Sequence, residues 1–77
     1  MLIPGRLYRL NSVCDYSLAV NGEHKGIHVC PGDVVMILRV ETTAFYSGTE
    51  FVRLTLLLAN GAVGTNSFWT TSWEHVG

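Results

Sequence analysis

Phe51-Val52-Arg53-Leu54-Thr55-Leu56-Leu57-Leu58 carries the clearest fold signal in the chain. In an extended chain Val52, Leu54, Leu56 and Leu58 share one side, and Phe51, Arg53, Thr55 and Leu57 share the other. A period of two belongs to a half-buried strand, whereas a helix would gather apolar residues at i, i+3 and i+4. Upstream, Val34-Val35-Met36-Ile37-Leu38-Arg39-Val40-Glu41 reads the same way, with Val34, Met36, Leu38 and Val40 expected to face the core. Its β-branched residues favour a pleated conformation. Arg6-Leu7-Tyr8-Arg9-Leu10 is a shorter alternating run after a Pro-Gly turn.

The punctuation between these runs is that of hairpins. Asn60-Gly61 is expected to form a two-residue type I′ turn, which needs positive φ at both central residues. Pro31-Gly32-Asp33 opens the second long strand, Ser47-Gly48-Thr49 lies in the turn before the third, and Asn21-Gly22 offers a minor turn. The segment from Asn11 to Val29 is too long for a plain connection in so small a domain, so it is expected to carry a hairpin or a function. Trp69-Thr70-Thr71-Ser72-Trp73 has room for one tight helical turn before a last strand at Glu74-His75-Val76.

Composition narrows the function classes. Among 77 residues, five Lys/Arg stand against six Asp/Glu, a formal charge of −1. A strongly cationic nucleic-acid surface is thereby disfavoured, because backbone binding needs clustered cations to release counterions. With 48% apolar and 14% charged residues, the chain is the opposite of a disordered segment. Met1-Leu2-Ile3-Pro4-Gly5-Arg6 has no basic leader followed by an apolar core, and no apolar run nears the roughly 20 residues of a spanning helix. The expectation is a cytoplasmic protein, one domain over residues 1–77, with no membrane partner.

The order of short strand, long folded loop, two long strands, tight turn, short strand, helical turn and final strand resembles a Src-homology-3-like small barrel. The likeness is closest to bacterial and phage-type forms, on Gly32-Asp33-Val34-Val35, Asn60-Gly61-Ala62-Val63-Gly64 and the opening Gly5-Arg6-Leu7-Tyr8-Arg9-Leu10. It runs from about Gly5 to Val76. The resemblance implies an all-β, five-stranded barrel, with a long first loop and a single helical turn before the last strand. In peptide-binding members, aromatic residues of the long loop, third strand and helical turn form a groove for extended ligands. Carried over, that role falls on Tyr8, Tyr16, Phe51 and Trp73, and Trp69 joins them through its place at the helical turn. The chain lacks the family's Ala-Leu-Tyr-Asp-Tyr string, its third-strand tryptophan pair and its terminal Pro-x-x-Tyr.

Four constellations carry possible chemistry. Cys14, His24, His28 and Cys30 offer two thiolates and two imidazoles, a set tetrahedral zinc accepts, but only the histidine pair has the common spacing. The alternative is two thiols and two surface histidines around a Glu23-His24-Lys25-Gly26 tip. Oxidised, Cys14 and Cys30 would close a loop and stabilise it by about 3 kcal/mol. Second, Cys14 or Cys30 beside His28 or His75 would make an activated thiol, yet no nucleophile motif surrounds either cysteine, and the expectation is a non-enzyme without cofactor. Third, Trp69 and Trp73 are expected to divide between core and exposed surface. Fourth, Arg6, Arg9, Arg39 and Arg53 with Tyr8 and Phe51 would form a basic, aromatic nucleic-acid face; the alternative is a solvated sheet with Arg–Glu pairs.

The leading expectation is a non-catalytic module that binds a protein partner, such as a small phage-type accessory protein. A nucleic-acid-binding barrel and a self-assembling structural subunit are the alternatives. Val35, Ile37, Phe51 and Leu57 fall on the expected outer side of the long strands, so a homo-oligomer through that face is also expected.

Overall fold

The tight turns dictate the architecture. In the computed structural model, which describes residues 2–76 apart from the side chain of Lys25, seven strands join through hairpins into one antiparallel sheet. They are β1 (Leu7–Leu10), β2 (Tyr16–Val20), β3 (Glu23–Val29), β4 (Val34–Tyr46), β5 (Thr49–Leu57), β6 (Val63–Trp69) and β7 (Trp73–His75). A one-turn 3₁₀ helix, Thr70–Ser72, lies between β6 and β7. The sheet order is β3-β2-β6-β5-β4-β1-β7. The fold is therefore all-β, with seven strands in place of the five expected. The two extra strands, β2 and β3, are the long Asn11–Val29 segment folded into its own hairpin.

No pairing joins the end strands β3 and β7 among the described residues. The sheet nevertheless curls: its smallest extent is 24 Å, more than twice the roughly 10 Å of a single sheet layer. Every strand contributes to the one core so enclosed: Tyr8 and Leu10, Leu18, Val29, Val35 and Ile37, Val52, Leu54 and Leu56, Phe68, and Trp73. The strand with the clearest signal behaves as its alternation requires, because Val52, Leu54, Leu56 and Leu58 are all buried.

Strand β4 inverts the expectation. Val35 and Ile37 are buried, at 1% and 0% exposure, while Leu38 is 41% exposed. Val34-Val35-Met36-Ile37-Leu38 is apolar at every position, so it carries no phase of its own. The phase comes from pairing: Tyr8↔Val35 and Ile37↔Leu56 bring buried partners together, and the register slips between Ile37 and Arg39. That bulge leaves both Leu38 and Arg39 outward and returns Val40 to the edge of the core. Since Val35 and Ile37 are interior, the outer oligomer face expected from Val35, Ile37, Phe51 and Leu57 does not exist as such; only Phe51 and Leu57 are partly exposed.

The turns are reassigned too. Positive φ at both residues occurs at Asn21-Gly22 (52° and 81°) and Ser47-Gly48 (50° and 80°), the two-residue hairpins of β2–β3 and β4–β5. At Asn60-Gly61 only the glycine is left-handed, at 87°. There the Gly61 N–H donates to the Leu58 carbonyl at 2.9 Å, the Leu58 N–H to the Ala62 carbonyl at 2.8 Å, and the Ala62 N–H to Asn60 Oδ1 at 3.0 Å. A turn followed by a left-handed glycine thus replaces the type I′ pair. The helical turn and last strand form where expected, with β7 one residue earlier at Trp73.

Gly64 fixes how the β2–β3 hairpin meets the rest. A Cβ built on Gly64 would lie 2.7 Å from the Leu18 Cβ, closer than side chains tolerate. The absent side chain lets β6 approach β2, whose ladder contact is the single Ala19↔Thr65 pair.

Candidate functional site

The turn at Ser47-Gly48 brings a third aromatic residue to two that were expected. Phe51 pairs with Trp69 across β5 and β6, and their rings meet at 5.0 Å with a 60° angle. Tyr46, the last residue of β4, closes the triangle at 5.6 Å from Trp69 and 6.4 Å from Phe51. All three contacts are edge-to-face, the arrangement that ring quadrupoles favour. Tyr46 is 58% exposed and Trp69 37%, and Phe51 is half-buried beneath them. The Thr43 hydroxyl donates to the Phe51 carbonyl at 2.8 Å and the Thr42 hydroxyl to Glu50 Oε2 at 2.8 Å, which ties down the bulged end of β4. Among the described residues neither the Trp69 indole N–H nor the Tyr46 hydroxyl has a hydrogen-bond partner within the chain.

The remaining aromatic candidates are interior. Tyr8 is 3% exposed, and its hydroxyl accepts the Ile3 N–H at 2.9 Å. It is neither a partner-binding ring nor a stacking platform, because β1 alternates with Tyr8 and Leu10 inward and Leu7 outward. Tyr16 is half-buried against Phe68, centroids 4.8 Å apart, and Phe68 packs on Trp73 at 5.1 Å. Trp73, at 6% exposure, is the core member of the tryptophan pair and Trp69 the exposed one. The Trp73 Nε1 is buried without an acceptor among the described residues, a cost of about 1–3 kcal/mol that packing must outweigh.

The outer face of β4–β5–β6 is ordered in rows about 7 Å apart, two residues along each strand. Phe51 and Trp69 occupy the first row, with Arg53 and Ser67 in the second, Thr55 and Thr65 in the third, and Leu57 and Val63 in the last. The row of Arg53 faces a cleft of about 210 Å³, lined by Ala19, Gly22 and His24 of the β2–β3 hairpin and by Arg53, Thr65, Asn66 and Ser67. A second cleft of the same volume lies by His28, Asp33, Val34, Leu58, Ala59 and Asn60. Both fall below the roughly 300–1,000 Å³ of a site that encloses a drug-sized ligand.

Two of the four candidate arginines are engaged by carboxylates, and Arg6 and Arg53 make no ion pair among the described residues. Arg9 pairs with Glu74 across β1 and β7 at 3.5 Å, and Arg39 pairs with Glu41 at 3.1 Å. Exposed pairs of this kind contribute little stability, but they neutralise cations that phosphate contacts would need.

The cysteine–histidine grouping is also dispersed. Cys14, exposed, contacts Ser12, His24 Nδ1 shares a 2.9 Å hydrogen bond with Ser17 Oγ, and His28 is exposed on β3. Among the described residues no group of three or more His, Cys, Asp and Glu is placed to hold a metal ion, so the zinc set is not assembled. Both thiols are free. Loss of solvent around Cys30, then the Asp15 carboxylate with its hydrogen bond, then Asp33, push its thiol above the ordinary 9.0. That is the reverse of an activated nucleophile.

No helix is long and apolar enough to cross a membrane among the described residues. No protein-family model, curated protein or solved structure matches the chain.

Proposed function

We propose that the chain is a Src-homology-3-like barrel serving as a non-catalytic interaction module, whose partner protein docks on the Tyr46–Phe51–Trp69 cluster. The strand order β7-β1-β4-β5-β6, the 3₁₀ turn before the last strand and the hairpin in place of the long first loop support the barrel reading. The single observation that carries the binding reading is the cluster itself: three packed rings from three strands, two of them open to solvent and each with an unused polar tip. Tyrosine and tryptophan anchor interfaces because they offer a large rigid area with one hydrogen-bonding end. The fourth ring nearby, Phe45, is 68% exposed and belongs to the opposite strand face, so it widens the apolar surface around the β4–β5 turn.

Selection of a random dodecapeptide display library on the protein, with counter-selection on Trp69→Ala, tests this. Enriched peptides should blue-shift the Trp69 emission on binding and lose about ten-fold or more affinity on Trp69→Ala or Tyr46→Ala, the loss typical of an interface anchor. Peptides that bind both variants as well as the wild type, or no enrichment at all, would contradict the assignment.

A further inference from the structure

We infer that the cleft one row from the aromatic cluster is an oxyanion subsite, taking the carboxylate or phosphate of an acidic residue in the segment that docks on Tyr46, Phe51 and Trp69. The inference rests on the aromatic docking reading for its occupant but on separate residues for its chemistry.

Arg53 projects from the outer face of β5, and in the ladder it stands opposite Glu41. Glu41 is engaged by Arg39 at 3.1 Å, and Arg53 has no ion pair or side-chain hydrogen bond among the described residues. The cleft beside it has no carboxylate in its lining and instead offers His24, Thr65, Asn66 and Ser67. These groups are held. Asn66 Nδ2 donates to the Ser17 carbonyl at 2.6 Å, and its Oδ1 accepts the Ser67 N–H at 2.7 Å. His24 is turned by the slip between Leu18 and Ala19, which places it opposite Ala19, and its Nδ1 is engaged by Ser17 Oγ at 2.9 Å. Its Nε2 is then the ring nitrogen left for a ligand.

A guanidinium beside an imidazole and the polar residues Thr65, Asn66 and Ser67, with the carboxylate across the ladder held by Arg39, suits a planar or tetrahedral oxyanion. The volume of about 210 Å³ admits one such group and its water, not a chain of them. One unpaired arginine in the cleft fits a single negative charge and not a polyanion. Because rows repeat about every 7 Å, an extended segment lying along β5 brings side chains two residues apart over the aromatic row and the arginine row in turn.

The test is an NMR titration of the full chain with inorganic phosphate and, separately, acetate, following backbone amides and the Arg53 side chain. The expected result is saturable shifts in the millimolar range at Arg53, His24, Asn66 and Ser67. They should weaken about ten-fold or more in Arg53→Gln, return in part in Arg53→Lys, and persist in Trp69→Ala. Response to either anion or to both at these residues supports the subsite and names its preferred source. Shifts that are diffuse, unsaturable or indifferent to Arg53→Gln overturn it, and they do so even if Trp69-dependent peptides are found. Localised shifts without any Trp69-dependent peptide would instead leave the subsite and remove the aromatic reading. A short oligothymidylate is the third probe: binding with a salt dependence steeper than one released counterion would overturn the acidic-peptide assignment in favour of nucleic acid.

Discussion

Two groups of three aromatic rings meet at β6, one through Phe68 and one through Trp69, and they differ most in their exposure to solvent. Tyr16, Phe68 and Trp73 form a chain with centroids 4.8 and 5.1 Å apart; Tyr46, Phe51 and Trp69 form another at 5.0, 5.6 and 6.4 Å. The first group closes around Phe68, which is fully buried, and the second leaves Tyr46 and Trp69 in contact with water. Close ring packing therefore does not tell a buried cluster from an exposed one. What separates them is where the strand phase points: Phe68 and Trp69 are adjacent in β6 and necessarily face opposite sides. The inner group stabilises the fold by removing apolar surface from water. The outer group leaves such surface exposed, and a partner that covers it gains what folding did not.

The largest way to break this contrast is Phe68→Ala, which empties the centre of the core. A loss of about 3–5 kcal/mol in urea denaturation is expected, enough to unfold much of a chain this small. A cost below about 1 kcal/mol would mean that the inner cluster is no more structural than the outer. Gly64→Ala comes next, and it strikes the inner group alone by forcing β6 away from Leu18 and so loosening the hairpin that carries Tyr16. We expect about 1–3 kcal/mol of destabilisation, with the ring-proton signals of Tyr46 unchanged and those of Tyr16 moved; the reverse pattern would place the strain elsewhere.

Smaller effects sharpen the same contrast. Ser47 holds a left-handed φ of 50° that asparagine tolerates better, so Ser47→Asn should stabilise the β4–β5 hairpin by less than about 1 kcal/mol. Amide exchange slowing at Tyr46 and Thr49 but not at Tyr16 would report it, and a loss of stability would contradict the turn geometry. The slightest effect is expected from Cys30, one residue beyond Val29, the partner of Tyr16. Folding raises its thiol above 9.0, so the folded chain holds that proton more tightly than the unfolded one. The contribution is complete below the unfolded value and is lost as pH rises through the folded one. Cys30→Ser should accordingly lose less stability than the wild type as pH rises through 9.0 and above. Equal alkaline losses in the two chains would remove the thiol from the account.

Why some of this was legible in the chain and some was not has a physical cause at each place. Strand β5 alternates apolar and polar or exposed residues, so its buried face could be read directly: Val52, Leu54 and Leu56, with Leu58 just beyond the strand, are the ones buried. Strand β4 begins with five apolar residues in a row, and a uniform run has no face until a neighbour supplies one. Its bulge at Leu38 depends on pairing with β5, a tertiary fact. The Asn11–Val29 segment announced itself only by length. Its turn at Asn21-Gly22 is the ideal two-residue pair, while the more conspicuous Asn60-Gly61 took a wider loop. For the candidate site, Phe51 was visible as an aromatic residue on an alternating strand and Trp69 as one at the helical turn. Tyr46 was missed because β4 was ended at Glu41, although Thr42-Thr43-Ala44-Phe45-Tyr46 is rich in strand-forming types that argue for its continuation. Tyr8 was misplaced because Arg6-Leu7-Tyr8-Arg9-Leu10 is too short to show which apolar residue faces inward. The cleft by Arg53 had no sequence signal, since hairpin and strand residues separated by some thirty or more positions line it together.

A docking surface must be dispensable to the fold, so the outer rings should be removable without unfolding the chain. Equilibrium urea denaturation of Trp69→Ala beside the wild type asks that directly. A loss under about 2 kcal/mol with an unchanged slope is the predicted result, since the ring is partly solvated already. A loss of about 3–5 kcal/mol, that of a fully buried aromatic residue, would make Trp69 a core residue and contradict the assignment of this surface to binding.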